Sequence, residues 1–565
     1  MPRFLISVAS WVIAKTLPAS ALADHYELVA HMKQNNLNEF ERLFWDISTP
    51  DSGKYLQHLS VGEVAAIIGA EDDDIDAASM WFRDLGAVEG SIHVSPLRDS
   101  LTATFSRASD SLPLKLQAQN RPSSVDFVLR RDAIEVPVEE TEKLSQTSHS
   151  NDWSYNVNDV KNAYGIPTDL QVTNAATRQM VWGPGTFGYG TWELLSFKLS
   201  QCPLLDTSKI HFDNENQGNS GGDNFAEGNL DTHMIASFGL NAETIVSNTN
   251  TSTSTEEGEG FGQALLDFVT QLAAREEVPQ VLSLSLGSLS GESCDLLCDK
   301  AVDAGHTRQE CRDYLQQQRQ VCMFLSQDQV SRINTAFQVL GARGVSVFAS
   351  SGDGGSHFSF TEFSGGDIAD TLNQISCEFQ MPVFPTSSPY VISVGGEMWG
   401  SGGATDPITW AGYGGGSGGG FSWQFDQPAH QNATVAAYLA GGDLPPTSSF
   451  NTQGRAYPDI SAVGVQGTSQ SCPMVAGIFS LVNDHRLNSG LPPLGFLGPR
   501  IWQTATQQPG EVFQDISEGN SKTSCASGFP ATQGWDPNTG FGRPIWSGLL
   551  QSFGSDAFAG ASVVV

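Results

Sequence analysis

The sequence is short of positive charge and of long apolar runs. Its 565 residues contain 29 Lys and Arg against 62 Asp and Glu, a formal net charge of −33 at pH 7. Nucleic acids and anionic membranes attract basic surfaces, so this balance argues against both as partners. No apolar run after the N-terminus reaches the length of a membrane span. Because protonation of carboxylates relieves self-repulsion, the composition favours a protein that works in acid.

Cysteine pairs of the C-x-x-C kind, which are typical of metal sites, are also absent. The 8 cysteines are an even number, which fits disulfide pairing in an oxidising compartment. We expect two local disulfides within a polar, helical insert that contains four of them, Cys294, Cys298, Cys311 and Cys322.

The N-terminus has the pattern of a secretory signal. Met1-Pro2-Arg3 precedes an apolar stretch from Phe4 to Ala14, and Ala21-Leu22-Ala23 has the small residues of a cleavage site. The alternative is a buried first helix. We expect a signal peptide over residues 1–23 and a mature protein that is secreted or delivered to a lysosome or vacuole. Glycosylation sequons at Asn250 and Asn432 fit this route.

Composition divides the remaining chain into two regions. Residues 24 to about 150 carry helical patterns and end in a polar run, residues 139–151, that predicts an exposed, cleavable linker. Beyond about residue 155 the chain is rich in glycine and serine, and strand and helix patterns alternate.

One β-α-β unit is clear in the second region. Residues 281–286 predict a buried strand, residues 330–340 a helix closed by Gly344, and residues 345–349 the next strand. Strands joined in this way are parallel neighbours with a right-handed crossover, and ligands bind at their carboxyl ends. The segment that follows the second strand, residues 350–355, is therefore where we expect chemistry.

Two further patterns carry candidate catalytic groups. Gly467-Thr468-Ser469 places a hydroxyl before an apolar helix, where backbone N–H groups stabilise an oxyanion, although a plain N-cap has the same pattern. None of the 11 histidines has the H-G-T-H context of subtilisins. Glu227 and Asp231, four apart on a predicted helix, can instead share one proton and act as a base in acid. The alternative is two solvated acids.

Several motifs, in this order, resemble those of the sedolisins, the serine-carboxyl peptidases that include the tripeptidyl peptidases. Three contain the groups described above: Glu227-x-x-x-Asp231, Ser351-Gly352-Asp353-Gly354 and Gly467-Thr468-Ser469. Residues 44–60 resemble the family's propeptide signature, and further blocks match at residues 417–422, 454–462 and 534–542. The glycine run at residues 414–420 lacks the context of a nucleotide loop, and the resemblance makes it a wall of the substrate cleft.

The resemblance implies an α/β fold, with a subtilisin-like catalytic domain built on a mostly parallel central sheet flanked by helices, preceded by an α+β prodomain. It divides the chain into a signal peptide (1–23), an activation propeptide and linker (24–150) and a peptidase domain (151–565). The implied protein is a monomeric zymogen of an acid-acting serine-type peptidase, either tripeptidyl aminopeptidase or endopeptidase. Its substrates are peptides or unfolded proteins, and its own propeptide is an intramolecular inhibitor.

The same resemblance assigns roles to residues. Ser469 is the nucleophile, Glu227 is the general base and then the general acid, and Asp231 orients Glu227 and shares its proton. Asp353 is an oxyanion-hole residue that must stay protonated to donate a hydrogen bond. One structural Ca²⁺ is implied, with the ligands Asp515, Ile516, Thr532, Gly534 and Asp536; Thr532 stands where glycine is usual.

One segment departs from the family pattern. Only nine residues, Ile460 to Thr468, separate Asp459 from Ser469, where family members have a hairpin. We expect a straight connection that keeps Ser469 near Glu227 and leaves an exposed strand edge. The alternative function is a catalytically impaired, secreted binding protein with the same fold. Cys472 also stands where the family has small or hydroxylic residues.

Overall fold

A computed structural model describes residues 25–106, 121–132, 155–185, 187–213, 225–249, 260–318, 321–357, 363–412 and 414–556. The predicted signal peptide, the linker at 139–151 and the sequon at Asn250 lie outside these ranges. Contacts divide the chain into two compact units, one made of residues 1–34 and 70–144 and the other of residues 35–69 and 145–565. Within the described residues, none of the helices is both long enough and apolar enough to cross a bilayer.

Strands and helices alternate along most of the described chain. The strands are β1 (His25–Met32), β2 (His93–Val94), β3 (Ser100–Ser106), β4 (Val125–Asp132), β5 (Arg178–Pro184), β6 (Ile210–Phe212), β7 (Glu243–Thr249), β8 (Val281–Leu284), β9 (Ser288–Leu289), β10 (Ser346–Ser350), β11 (Val383–Phe384), β12 (Ile392–Trp399), β13 (Pro407–Thr409), β14 (Ala411–Gly412), β15 (Gly415–Gly416), β16 (Gly420–Asp426), β17 (Gly454–Tyr457), β18 (Ile460–Val463), β19 (Phe513–Gln514) and β20 (Arg543–Pro544). The α-helices are α1 (Leu37–Ser48), α2 (Val61–Ile68), α3 (Asp72–Asp84), α4 (Val157–Ala163), α5 (Thr191–Gln201), α6 (Phe225–Phe238), α7 (Gly260–Ala273), α8 (Gly291–Asp303), α9 (Arg308–Gln317), α10 (Gln327–Ala342), α11 (Asp367–Glu378), α12 (Asn432–Leu439), α13 (Thr468–Asn488), α14 (Gly498–Gln507) and α15 (Trp546–Phe553).

The first unit is a small α+β structure. Its four strands form an antiparallel sheet in the order β2-β3-β1-β4. Buried and half-buried residues alternate along β3, as expected for a sheet with one face on the core. Helix α3 begins with three aspartates, which favour a helix N-terminus, and its residues Trp81 and Phe82 share an apolar core with Tyr26 and Leu28 of β1.

The second unit is built on a mostly parallel sheet in the order β13-β12-β10-β8-β5-β7-β6, with β18 paired to β12. The only antiparallel pair described in this sheet is β12 with β13. The predicted β-α-β unit is confirmed, because β8 and β10 pair in parallel and α10 connects them. Since the carboxyl ends of parallel strands lie at one edge, the residues after β8, β10 and β18 converge there.

The shortened segment before Ser469 forms a strand and a tight turn. Strand β18 is buried and pairs in parallel with β12. Gly464 N donates to Glu397 O at 2.9 Å, and Gly467 N donates to Gly464 O at 2.9 Å, so the chain runs straight on without a hairpin. The expected exposed edge is wrong: Ser461 N donates to Gly542 O and Val463 N to the Tyr164 hydroxyl, so other segments cover that edge.

Disulfides tie the polar insert together as predicted. Cys298–Cys311 joins α8 to α9, and Cys294–Cys322 joins α8 to the segment that follows α9. A third disulfide, Cys377–Cys525, connects distant parts of the second unit. The cysteines left unpaired are Cys202 and Cys472, and both are buried.

A buried carboxyl supports the strand that leads to Ser469. Tyr164 donates its hydroxyl hydrogen to Glu397 Oε1 at 2.8 Å and accepts from Val463 N at 2.8 Å. Arg543 Nη1 lies 3.5 Å from the same Glu397 oxygen. Burial raises the pKa of Glu397 to about 7, although Arg543 and Tyr164 act in the opposite direction. The folded protein therefore favours the protonated form of Glu397 over the ionised form.

Replacing Glu397 by Gln should flatten the dependence of stability on pH. The raised pKa means that the folded state holds the proton more tightly than the unfolded chain. Its stabilising effect is complete below about pH 4.3 and is lost as the pH rises through about 7. Between about pH 4.5 and 7, wild type should lose about 2 kcal/mol more free energy of unfolding than Glu397→Gln. Denaturant titrations at both pH values measure this, with Glu193→Gln on the exposed start of α5 as the control. Equal losses in wild type and Glu397→Gln would contradict the assignment.

Candidate active site

Ser469 lies at the start of a buried helix, after a turn that requires glycine. Gly467 has a φ of +91°, and a Cβ at this position would lie 2.4 Å from Asp353 Oδ2. Helix α13 begins at Thr468, so Ser469 is its second residue. The first N–H groups of a helix have no partner within it and can stabilise negative charge. The predicted small-residue turn before a helix is therefore present.

Asp353 is held against that turn from the end of the neighbouring strand. It follows β10, and its Oδ1 accepts from Thr468 N at 2.7 Å and from Thr468 Oγ1 at 2.8 Å. The Thr468 hydroxyl also accepts from Gly352 N at 3.1 Å. Burial raises the pKa of Asp353, while the two bonds from Thr468 lower it. With Oδ1 engaged as an acceptor, Oδ2 is the oxygen that can carry a proton.

Glu227 and Asp231 lie one turn apart on α6, which packs along α13. A Cβ on the intervening Gly228 would lie 2.1 Å from Gly188 O, so only glycine permits this close approach. Asp231 is fully buried; burial first, and then the neighbouring Glu227, raises its pKa well above the usual range. Burial also raises the pKa of Glu227 to about 7, with a smaller contribution from Asp353.

The Ser469 hydroxyl is close to two acceptors. It donates to Ser285 O at 3.1 Å, and it also lies within the reach of the Glu227 carboxyl, where a hydrogen bond lowers the pKa of Glu227. One hydroxyl has a single hydrogen, so these two bonds are alternatives. The structure thus brings together all four predicted side chains, Ser469, Glu227, Asp231 and Asp353.

Ser285 is a site residue that the sequence did not single out. It comes directly after β8, and its Oγ donates to Ser469 O at 3.4 Å. The alternative acceptor for the same hydroxyl hydrogen is Asp231, whose pKa this bond lowers. The strand was predicted to run to residue 286, but β8 ends at Leu284, and Ser285 bonds to the start of α13 instead. The sequence does contain one indication of its role, because Ser285 lies at the carboxyl end of a predicted buried strand.

Two other predicted features have structural explanations. In the glycine run, a Cβ on Gly418 would lie 2.3 Å from Ser351 O, and Gly416 N donates to Asp353 O at 2.8 Å, so this run packs directly on the Asp353 loop. Cys472 is fully buried behind the site, with Sγ 3.3 Å from Ser283 Oγ. Burial raises the pKa of this thiol, which makes it a packing residue rather than a nucleophile.

The predicted calcium ligands also come together. Asp515 Oδ2 accepts from Gly534 N at 2.8 Å, and Asp536 Oδ2 accepts from Thr532 N at 3.0 Å. The Ile516 carbonyl accepts from Thr539 Oγ1 at 3.3 Å, and Thr539 N donates to Asp536 at 3.1 Å. Asp515 Oδ1 is buried and has no hydrogen-bond partner among the described residues. Those residues contain no group of three or more His, Cys, Asp or Glu side chains that could hold a metal ion.

Comparison with known proteins finds similarity along nearly the whole chain. The profile of the Pro-kumamolisin activation domain matches residues 10–144. Physarolisin from Physarum polycephalum is 28% identical over 625 aligned positions, which cover 97% of this chain and 98% of physarolisin.

Two further proteins are similar to this chain, the first over part of its length and the second at lower identity. Human tripeptidyl-peptidase 1 is 38% identical over 254 residues, which is 40% of this chain and 40% of that protein. A Pseudomonas sedolisin, described as a serine-carboxyl proteinase complexed with pseudo-iodotyrostatin, is 21% identical with a TM-score of 0.49, covering 71% of this chain and 99% of that one. The activation-domain match at the N-terminus and the similarity to physarolisin along nearly the whole length support a serine-carboxyl peptidase of the sedolisin type with a propeptide.

Proposed function

We propose that this protein is a secreted or lysosomal peptidase that acts in acid and cleaves peptide bonds through Ser469, Glu227 and Asp231, with Asp353 at the oxyanion. One observation carries the proposal. Segments more than 100 residues apart in sequence put a hydroxyl at a helix N-terminus next to three carboxyls whose pKa values burial raises. Clusters of perturbed carboxyls beside a nucleophile are typical of catalytic sites.

The reaction begins when Ser469 Oγ exchanges its bond to Ser285 O for one to Glu227. Glu227 takes the hydroxyl proton as Oγ attacks the peptide carbonyl, and it then gives the proton to the departing amine. Before the reaction the pair holds one proton, which lies on Asp231. Glu227 is then the single negative charge of the pair and can accept the proton of Ser469. Water then attacks the acyl group with Glu227 again as the base, and the proton returns to Ser469 Oγ as the acyl group is released.

Asp353 supplies a donor for the oxyanion. Because Thr468 occupies Oδ1, the proton of the neutral acid lies on Oδ2, at the turn that leads to Ser469. Ionisation of Asp353 would place a negative charge where the oxyanion forms. Activity should therefore fall on the alkaline side as Asp353 loses its proton, and on the acid side as the Glu227–Asp231 pair takes up both protons.

Histidine is not the base in this arrangement. His233 lies on α6 two residues after Asp231, but it stacks on Phe197 with ring centroids 4.3 Å apart. Burial lowers its pKa to about 4. The carboxyl pair is the better base for acid conditions, which agrees with the strongly acidic composition.

The shortened segment before Ser469 is the observation that favours the alternative, a non-catalytic binding protein. The turn at Gly467 nevertheless keeps Ser469 close to Glu227 and Asp353, and this geometry supports the peptidase. We propose that peptides and unfolded proteins are the substrates and that the propeptide is removed near residue 150. Digestion of one long peptide distinguishes the two activities: a tripeptidyl aminopeptidase releases tripeptides from its N-terminus, whereas an endopeptidase releases internal fragments.

Acid incubation of the purified precursor tests the function. Wild type should convert itself, lose about the first 150 residues and then digest a long peptide. Asp353→Ala should slow peptide cleavage by about 10²–10³-fold, the usual effect of removing one oxyanion donor. Ser469→Ala and Glu227→Gln should cost more. N-terminal sequencing and mass spectrometry of the products measure both steps. A precursor that stays intact and inactive in acid would favour the binding protein, and a wild-type rate in Asp353→Ala would remove Asp353 from the mechanism.

Replacing Gly467 by Ala tests the position of Asp353 without changing any reacting group. The new Cβ would collide with Asp353 Oδ2 and adopt a strained φ. We expect a rate loss of about 10²–10³-fold with a folded protein. Gly490→Ala at the other end of α13 is the matched control, because it has a φ of +73° and nothing within 4 Å of the new Cβ. Equal rates in the two variants would show that the contact with Asp353 is unimportant.

We also propose one structural Ca²⁺ at the block that contains Asp515 and Asp536. The buried, unpartnered Asp515 Oδ1 and the nearby backbone carbonyls fit a cation that prefers six to eight oxygen ligands. Such an ion would hold the turn around residues 532–536 to the segment after β19, away from the reacting atoms.

Chelation should therefore lower stability without acting on Ser469. With free Ca²⁺ at about 100 times the Kd, removal of the ion should cost about 2.7 kcal/mol near neutral pH and less in acid, where protons compete for the carboxylates. Thermal unfolding with and without chelator measures this, and Asp515→Asn should abolish the difference. Metal analysis that finds no calcium, together with unfolding unaffected by chelator, would disprove the site.

A further inference from the structure

His357 is a buried histidine whose two ring nitrogens both face backbone carbonyl oxygens. Its Nδ1 lies 2.6 Å from Ser376 O, and its Nε2 lies 2.9 Å from Ser527 O. The residue is only 6% exposed, so water has little access to either contact. Both ring nitrogens must therefore be satisfied by these two carbonyls.

This geometry fits a charged ring. A carbonyl oxygen only accepts hydrogen bonds, and a neutral imidazole has one N–H and one nitrogen lone pair. A neutral His357 would bond to one carbonyl and direct its lone pair at the other. An imidazolium donates to both carbonyls, and hydrogen bonds from a charged donor are stronger than those from a neutral one.

The two carbonyls belong to elements that are far apart in sequence. Ser376 lies near the end of α11, and Ser527 lies in a loop of residues 521–529, which we term the cover loop. The disulfide Cys377–Cys525 joins the same two elements beside these carbonyls. A covalent bond thus fixes the two acceptors on either side of the ring.

His357 stands at the end of the loop that carries Asp353. That loop lies against the cover loop, because Ser356 N donates to Ser521 O at 3.1 Å and a Cβ on Gly355 would lie 2.4 Å from the same oxygen. At the other end of the loop, Asp353 meets the turn before Ser469. The ring of His357 therefore fastens the far end of a short segment whose near end is in the active site.

We propose that His357 is a positioning residue for the peptidase reaction: as an imidazolium it fastens the loop that carries Asp353 and so keeps the oxyanion donor at the turn before Ser469. The effect on the rate rests on the proposed function, in which Asp353 donates to the oxyanion. The charge of the ring does not depend on that function.

Acid conditions maintain this charge. Histidine changes its charge between about pH 5 and 8 in ordinary surroundings. The charged side chains nearest in sequence on the packed elements, Glu378 of α11 and Lys522 of the cover loop, are exposed, and the ring forms no ion pair with any described residue. The carboxyl of Asp353, in its own loop, is engaged with Thr468. Loss of one ring proton at higher pH would therefore break one carbonyl contact and loosen the loop.

Nuclear magnetic resonance of the full chain tests the charge directly. The histidines are labelled at their ring nitrogens, Ser469→Ala keeps the chain uncut in acid, and the signals lost in His357→Gln assign the ring. At about pH 5 both nitrogens of His357 should carry a hydrogen that exchanges slowly with water. A single N–H on this ring at that pH would overturn the proposal, whatever the role of Asp353.

Kinetics of the acid-converted enzyme test the positioning role. His357→Gln should lower kcat per titrated active site by up to about 10²-fold and change KM little, because the oxyanion forms only in the transition state. His306→Gln is the matched control, since His306 also contacts α11, with Nε2 3.1 Å from Thr371 Oγ1, but its Nδ1 faces Glu310. It should leave kcat unchanged. A wild-type kcat in His357→Gln would overturn the positioning role.

Two further readouts separate positioning from a general loss of structure. In wild type the alkaline limb of kcat against pH should contain the ionisations of both His357 and Asp353, whereas His357→Gln should retain that of Asp353 alone. Adding His357→Gln to Asp353→Ala should cost little more, because the ring acts through Asp353. An unchanged alkaline limb, or losses that add in the double variant, would overturn the positioning role. A wild-type rate in Asp353→Ala alone would instead contradict the proposed function.

Discussion

Two hydrogen bonds from Thr468 to a single oxygen of Asp353 hold together the parts of the chain on which the site depends. They join the start of α13 to the end of β10, and they fit only because residue 467 has no side chain. Once this contact is made, Ser469 is directed at α6 and the carboxyls of Glu227 and Asp231. This packing buries the carboxyls of Glu227, Asp231 and Asp353, and burial raises their pKa values. The packing of the site thus favours the protonated form of all three carboxyls.

Much of the fold was predictable from local patterns. The strand before Ser285, the helix that begins at Gln327 and the strand before Ser351 appear within three residues of the predicted bounds, because apolar periodicity reflects burial directly. The two local disulfides were predictable for a different reason, because their cysteines lie close together in sequence within one insert. Acidic pairs and small-residue turns are common, however, and only the order of several motifs gave the site its assignment.

What the sequence could not reveal depends on contacts between distant segments. The edge of β18 is covered by Tyr164 and Gly542, which lie far from it in sequence, so a short connection looked exposed when it is not. Ser285 acquires its importance from neighbours nearly 200 residues away. The same holds for residues 35–69, whose partners on α10 and α14 no local pattern could identify.

The disulfide-bonded insert has a consequence for a peptidase. Helices α8 and α9 are polar on the outside and are closed into loops by Cys294–Cys322 and Cys298–Cys311, while α11 packs against them in one apolar core. A peptide bond broken between Cys298 and Cys311 would leave both new ends covalently attached. The enzyme could therefore suffer cuts in its own exposed helices and keep its shape, and such damage would become visible only after reduction.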